Sequence, residues 1–260
     1  CEQLVEQGFH VIRFDNRDVG HSTVLDDLGL PPVAATLAGR KTAARYSLSD
    51  MASDAAGLLD HLGIETAHVV GASMGGMIAQ VLTIEHSHRV RSLGSIMSTT
   101  GRKTVCTPHP TIMRALVKQP PTHLGREAEI EHFLEFFRSV GSRGHLFNDD
   151  EFREAARISL ERGSTRAGTL RQLAAVTTTA DRTRKLRTIN QPALVIHGSA
   201  DRLIHASGGR ATANAIPGST YLEFSGMGHD FPSLLLPQIT SAITANAARA
   251  ADAVPAGVSR

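Results

Sequence analysis

Only two cysteines, Cys1 and Cys106, occur in 260 residues. Two thiols in a chain this long build no disulfide framework. Nothing in them demands an oxidising compartment, which favours a cytoplasmic location. No apolar run approaches the ~20 residues needed to span a bilayer. Residues Cys1–His10 lack a charged start followed by an apolar stretch, so they do not read as a signal peptide. Neither charge sign dominates: 27 Lys and Arg stand against 25 Asp and Glu, a formal net charge of +2. That balance excludes a single-sign field, and with it the usual footprint for nucleic acid or an anionic membrane. No cluster of His, Cys and Asp has metal-ligand spacing, so neither a metal nor another cofactor is expected. Internal repeats and low-complexity tracts are absent, and oligomeric state has no signature.

What is present is an ordinary globular composition, 41% hydrophobic. A folded chain of this size buries roughly 75% of its unfolded surface. Phe9–Phe14 (FHVIRF) is rich in β-branched and aromatic residues and reads as a strand. Residues 23–46 hold Pro, Gly and Ala without a period and read as an irregular connection. Ser47 followed by Asp50 forms a capping box. Behind it Leu48, Met51, Ala55, Leu58 and Leu62 recur at helical spacing, and Gly63 marks the end. Ala67–Val70 is a short buried strand, Met74–His86 a helix and Val90–Met97 a strand. Alternation of this kind predicts a parallel α/β sheet with helices on both faces. After Gly101 the β character stops. Residues 102–187 carry amphipathic stretches such as Ile130–Val140 and Asp150–Arg162, which read as a helical insertion. The β pattern resumes at Ala193–His197 and ends at Thr220–Phe224, with a helix over Gly208–Ala215 between them. Leu234–Ala251 is a final helix, and Val254–Arg260 reads as frayed.

Three short motifs carry chemistry. Gly71-Ala72-Ser73-Met74-Gly75-Gly76 fits G-x-S-x-G with a strand before it and a helix after it. A serine on that strained turn projects beyond the sheet edge. Gly71 and Gly75, lacking Cβ atoms, let strand and helix pass close. The N–H of Met74 opens the helix and points where an oxyanion would form. The alternative is a small-residue turn with an incidental serine. A serine nucleophile needs a base. His229, in Gly226-Met227-Gly228-His229-Asp230 after the last strand, is the best placed of thirteen histidines; His61, His86 and His88 read as solvated. Asp201, at the end of the strand Ala193–His197, can orient that imidazole, or it can simply cap the next helix. Ser73, Asp201 and His229 follow the chain order Ser, Asp, His.

Other patterns lead nowhere. Gly39-Arg40-Lys41-Thr42 and Gly101-Arg102-Lys103-Thr104 lack the upstream glycine of a phosphate loop. The basic run Arg182–Arg187 reads as a solvated connection leaving the insertion.

At its three motifs the chain resembles the α/β-hydrolase superfamily. Phe14–Ser22 (FDNRDVGHS) and Val70–Gln80 (VGASMGGMIAQ) look most like bacterial esterases of the aclacinomycin methylesterase and mycobacterial lipase/esterase LipG kind. The resemblance implies Ser73, Asp201 and His229 as a catalytic triad and Met74 as one oxyanion donor. It implies a hydrolase core in 1–101 and 188–260, with a helical cap in 102–187. It makes Gly20 and Ser22 part of a structural loop braced by Asp15 and Arg17. Arg202 stands where such enzymes commonly have proline after the acid. The resemblance also implies three strands and a His-Gly-type oxyanion loop ahead of Cys1, so the chain is expected to be a fragment without its second oxyanion donor.

The expected activity is hydrolysis of a small-molecule carboxylic ester through an acyl-enzyme on Ser73. Met113, Leu116, Phe133, Phe136, Phe137 and Phe147 are candidates for an apolar pocket, or simply for packing within the insertion. Rival readings on the same triad are lactone, thioester or peptide hydrolysis, or haloperoxidase-type perhydrolysis. A non-catalytic ligand-binding protein is the rival of another class.

Overall fold

A computed structural model describes residues 1–106, 110–118, 121–163 and 165–252. Four strands, β1 (Ala67–Ala72), β2 (Val90–Ile96), β3 (Ala193–Gly198) and β4 (Thr220–Phe224), pair in that order, all parallel. Ahead of the sheet lie α1 (Glu2–Glu6), α2 (Val33–Leu37) and α3 (Leu48–His61); α4 (Met74–Glu85) joins β1 to β2. Between β2 and β3 the chain forms α5 (Pro110–Leu116), α6 (Arg126–Val140), α7 (Asp149–Arg162), α8 (Arg166–Thr178) and α9 (Thr183–Leu186). Beyond β3, α10 (Ala206–Ala215) crosses to β4 and α11 (Leu236–Asp252) closes the chain. Val254–Arg260 lies outside the described residues.

Side-chain alternation along the strands divides the core. Leu93 of β2 and Ala193 of β3 pack with Ala79 of α4 and Ala215 of α10. Ile96, Leu194 and Ile196 point the other way, onto Met227 of the loop after β4 and Ile239 of α11. Both faces of the sheet are therefore covered by helices, as parallel strands require. A third cluster joins α3 to α4 through Met51, Ala55, Met77 and Val81.

The capping box at Ser47 forms: its hydroxyl accepts from the Asp50 N–H, and the Asp50 carboxylate accepts from the Ser47 N–H at 2.8 Å. At the far end Gly63 (φ +66°) takes the left-handed position, with Ile64 N–H donating to Leu59 O and Gly63 N–H to Asp60 O. These are the paired bonds of a Schellman motif.

Four expectations need correction. Phe9–Phe14 is not a strand, because no neighbouring strand among the described residues offers it a ladder. Ile12 and Phe14 stay exposed, and Phe9 only meets the His68 ring edge-on. For the same reason β1 is half-buried rather than buried: it is a sheet edge, and Val70 is 42% exposed. Residues 23–46 contain α2 and two short 3₁₀ turns, Asp26–Leu28 and Lys41–Ala43. The run Arg182–Arg187 is partly internal. Arg182 is buried, donating to Gln80 Oε1 at 3.2 Å and to Thr99 O at 2.8 Å, and Leu186 sits in the core. Burial pushes the Arg182 guanidinium down to about 10.

The loop 15–29 is braced by charge. Asp15 pairs with Arg162, and Arg17 with Asp54. The stronger brace is Asp18, which the sequence reading passed over. Its carboxylate takes a two-pronged bond from Arg171 of α8, at 2.6 and 2.8 Å, and one from the Tyr46 hydroxyl at 2.8 Å. Both charged side chains are fully buried.

Candidate active site

Ser73 sits between β1 and α4 with φ 55° and ψ −121°. A non-glycine residue there is strained by about 1–3 kcal/mol, and surrounding structure must hold it. The Ser73 N–H donates to Ile96 O of β2 at 2.8 Å. A Cβ on Gly71 would lie 2.1 Å from Gly75 O, so strand and helix touch backbone to backbone. The second tight position is Gly76, where a Cβ would fall 2.7 Å from the Ser98 side chain. Gly75 itself has room for a Cβ, which corrects the sequence expectation; it takes part through its carbonyl.

The strand ends bring three separated residues together. His229 Nε2 lies 2.8 Å from Ser73 Oγ, and His229 Nδ1 lies 2.7 Å from Asp201 Oδ2. Asp201 Oδ1 accepts from the N–H groups of Leu203 and Ile204, both at 2.9 Å. Asp201 therefore orients His229 and shapes its own loop. Helix α10 is capped instead by His205, whose ring accepts from the Ser207 N–H. Burial alone would raise the Asp201 carboxyl; contacts from His197 and His229 outweigh it and hold it below the usual carboxylate range. His197 is fully buried, with Nε2 2.7 Å from Ile204 O and 3.5 Å from Asp201 Oδ2. In the sequence His197 stands only as the end of the strand before Asp201, and nothing local marks its contact with the acid. Met74 opens α4, in the first turn, where helix N–H groups have no intrahelical acceptor.

A cavity of about 600 Å³ opens beside Ser73. Its wall is mostly apolar: Met74 and Met77 from α4, Met113 and Leu116 from α5, Leu173 and Val176 from α8. Arg102 and Lys103, from a motif dismissed as a phosphate loop, also line it. Met113 and Leu116 were expected there. Phe133, Phe136, Phe137 and Phe147 are not among its lining residues. They join Phe152 in a run of ring contacts between α6 and α7, with centroids 4.5–5.4 Å apart. Such rings gain more from stacking on one another than from facing a cavity.

Among the described residues no group of three or more His, Cys, Asp or Glu is placed to hold a metal ion. No helix among them is long and apolar enough to cross a membrane.

Comparison with known proteins places this arrangement. A family profile described as alpha/beta hydrolase fold matches residues 2–232. Rhodomycin D methylesterase DnrP of Streptomyces peucetius is 27% identical over 264 residues, 94% of this chain and 83% of its own. Among solved structures, an enol-lactonase from Burkholderia xenovorans LB400 superposes with a TM-score of 0.71 at 20% identity, over 94% of this chain and 83% of its own. An esterase from Exiguobacterium antarcticum does so with a TM-score of 0.67, also at 20% identity, over 95% and 84%. Matched over most of its length, with the strand-turn-helix serine at its centre, this chain belongs to the α/β-hydrolase fold family.

Proposed function

We propose that this chain is a serine hydrolase of carboxylic esters, with Ser73 as nucleophile, His229 as base and Asp201 as orienting acid. The observation that carries this is the unbroken relay from Ser73 Oγ through His229 to Asp201, at 2.8 and 2.7 Å. His229 Nε2 takes the hydroxyl proton as Ser73 Oγ attacks the ester carbonyl. The Met74 N–H, at the head of α4, donates to the oxyanion that forms. His229 then returns the proton to the leaving alcohol. Water, deprotonated by the same nitrogen, releases the acid from the acyl-enzyme. Asp201 keeps the proton on Nδ1 and stabilises the imidazolium.

Residues 102–187 act in this reading as a cap over a core formed by 1–101 and 188–260. Support comes from the cavity, whose wall combines Met113 and Leu173 of the inserted helices with Ser73 and Ile204 of the core. Its volume suits a medium-sized organic acid. The apolar wall favours the acyl part of the substrate, with a small alcohol leaving toward solvent. The methylesterase relative makes methyl esters the first class to assay.

The test is labelling by a fluorophosphonate probe, with Ser73→Ala as control. Wild-type labelling lost in the variant is expected, together with at least a ~10³-fold loss of ester turnover. Absence of Ser73-dependent labelling would reject the hydrolase reading in favour of ligand binding. A panel of methyl, lactone, thioester and peptide substrates then ranks the reactions.

A further inference from the structure

Outside the proposed triad, a second buried polar cluster presses on the base. Asp230, next to His229, is 5% exposed, as is Ser142, just beyond α6. Asp230 Oδ1 accepts from the Ser142 N–H at 2.9 Å and from its hydroxyl at 2.6 Å. The same hydroxyl oxygen accepts from the Gly228 N–H at 2.9 Å. Backbone bonds flank this pair: His229 N–H donates to Val140 O at 2.9 Å, and Arg143 N–H to Gly226 O at 3.0 Å. Residues 140–143 and 226–230 thus run side by side, bonded on both sides of His229. The fit is close. A Cβ on Gly228 would fall 2.0 Å from the carbonyl carbon of Gly141, so only glycine allows the approach.

The end of α6 explains why the contact is there. The last carbonyls of a helix have no intrahelical donors. Here Ser139 O accepts from Arg202, beside the acid, and Val140 O accepts from His229, the base. The catalytic loops supply the donors that this helix end needs. Two loops of the core are therefore completed by the inserted segment.

We propose that Ser142 and Asp230 are a positioning pair that bolts the His229 loop to the C-terminal end of α6, so that the base is presented to Ser73 only while the inserted helices are docked. The proposal rests on the hydrolase reading for the role of His229. Neither side chain reaches the substrate cavity. Both act through the base. Asp230 Oδ2 is buried without a hydrogen-bond partner, so the carboxyl is held there against a desolvation penalty chiefly by the Ser142 bonds, with smaller help from the Gly228 N–H and the neighbouring His229. Burial pushes this carboxyl up despite those bonds. A group kept at such expense in contact with the base loop is more than a filler of space.

Ser142→Ala and Asp230→Asn test the pair in the full chain, by steady-state kinetics and amide hydrogen exchange. Each variant should lose kcat on the order of 10²-fold, the scale of a ~1 Å misplacement, with KM little changed. The double variant should be no worse than the poorer single one, because each removes the same latch. Exchange should rise together in 140–143 and 225–231 and stay at wild-type level in β1–β3. Wild-type kcat in Ser142→Ala, additive losses in the double variant, or unchanged exchange at 225–231 would each overturn the proposal. The exchange arm reads the latch without needing turnover. Silence of the wild-type chain toward fluorophosphonate would sink the hydrolase reading while the exchange result still decides the latch.

Discussion

Ser73 and Asp18 are both non-glycine residues with positive φ, at 55° and 73°. Each is held in place by partners from distant sequence. For Ser73 the holder is Ile96 O and the Gly71–Gly75 contact. For Asp18 it is Arg171, 153 residues away, and Tyr46. Replacing Asp18 with Asn keeps a side chain that tolerates this backbone but leaves the buried Arg171 charge without its partner. Loss of about 3–5 kcal/mol is expected, read from urea unfolding midpoints. Burial alone would raise the Asp18 carboxyl, but bonds from Arg171, Leu25 and Tyr46 hold it below the ordinary range. A carboxyl depressed in the fold contributes stability above its unfolded value of about 3.9 and loses it as pH falls toward the folded one. The wild-type urea midpoint should therefore drop as pH falls below about 4, and the drop should be shallower in Asp18→Asn. At the proposed active site, Asp201→Asn should keep Ser73 in place but favour the wrong His229 tautomer. A kcat loss of roughly 10⁴-fold is expected, with fluorophosphonate labelling slowed in parallel.

Elements obey local rules where their partners are local. Helix α3 begins at Ser47 and ends before Gly63 because both caps lie within a few residues of the helix they serve. Ser47→Ala removes one half of the capping box and should lower stability by about 1 kcal/mol, visible as a fall of a few degrees in Tm. Strands behave differently. Phe9–Phe14 has strand composition yet no ladder among the described residues, since a strand exists only beside another strand. The phenylalanines of α6 show the same dependence. Of the two readings open to them, a pocket wall or packing within the insertion, they follow the second, with Phe137 stacked on Phe152 of α7. Helix α6 does its other work at its C-terminal end, where its free carbonyls meet the loops of Asp201 and His229.

On the scale of the whole molecule, the cavity lies where α4, α5 and α8 converge over Ser73. Its wall combines Met113 and Leu173 with Ser73 and Ile204, so in the proposed reading the acyl size accepted depends on how residues 102–187 sit over the serine. Leu173→Trp adds bulk from α8 into that space. Long-chain and ring-bearing esters should lose kcat/KM by at least ~10-fold while acetate esters keep theirs, in a side-by-side substrate panel. Equal losses across the panel would mean that Leu173 does not limit acyl size.

The amino-acid order by itself determined the parts governed by short range. Helix caps and the strand-turn-helix around Ser73 follow from neighbours a few positions apart, and Asp201 and His229 each stand in a short motif just after a strand. These suffice for the fold class and for the identity of the candidate site residues. Tertiary structure alone decided what depends on distant partners. It buried Arg182 in a run that looks solvated, made Asp18 rather than Arg17 the main brace, and set Phe137 of α6 against Phe152 of α7. It also joined Ser142 to Asp230 across 88 residues. A hydrogen bond of that span leaves no period and no local composition in the chain. Its free energy depends on desolvation and on distances that exist only after folding.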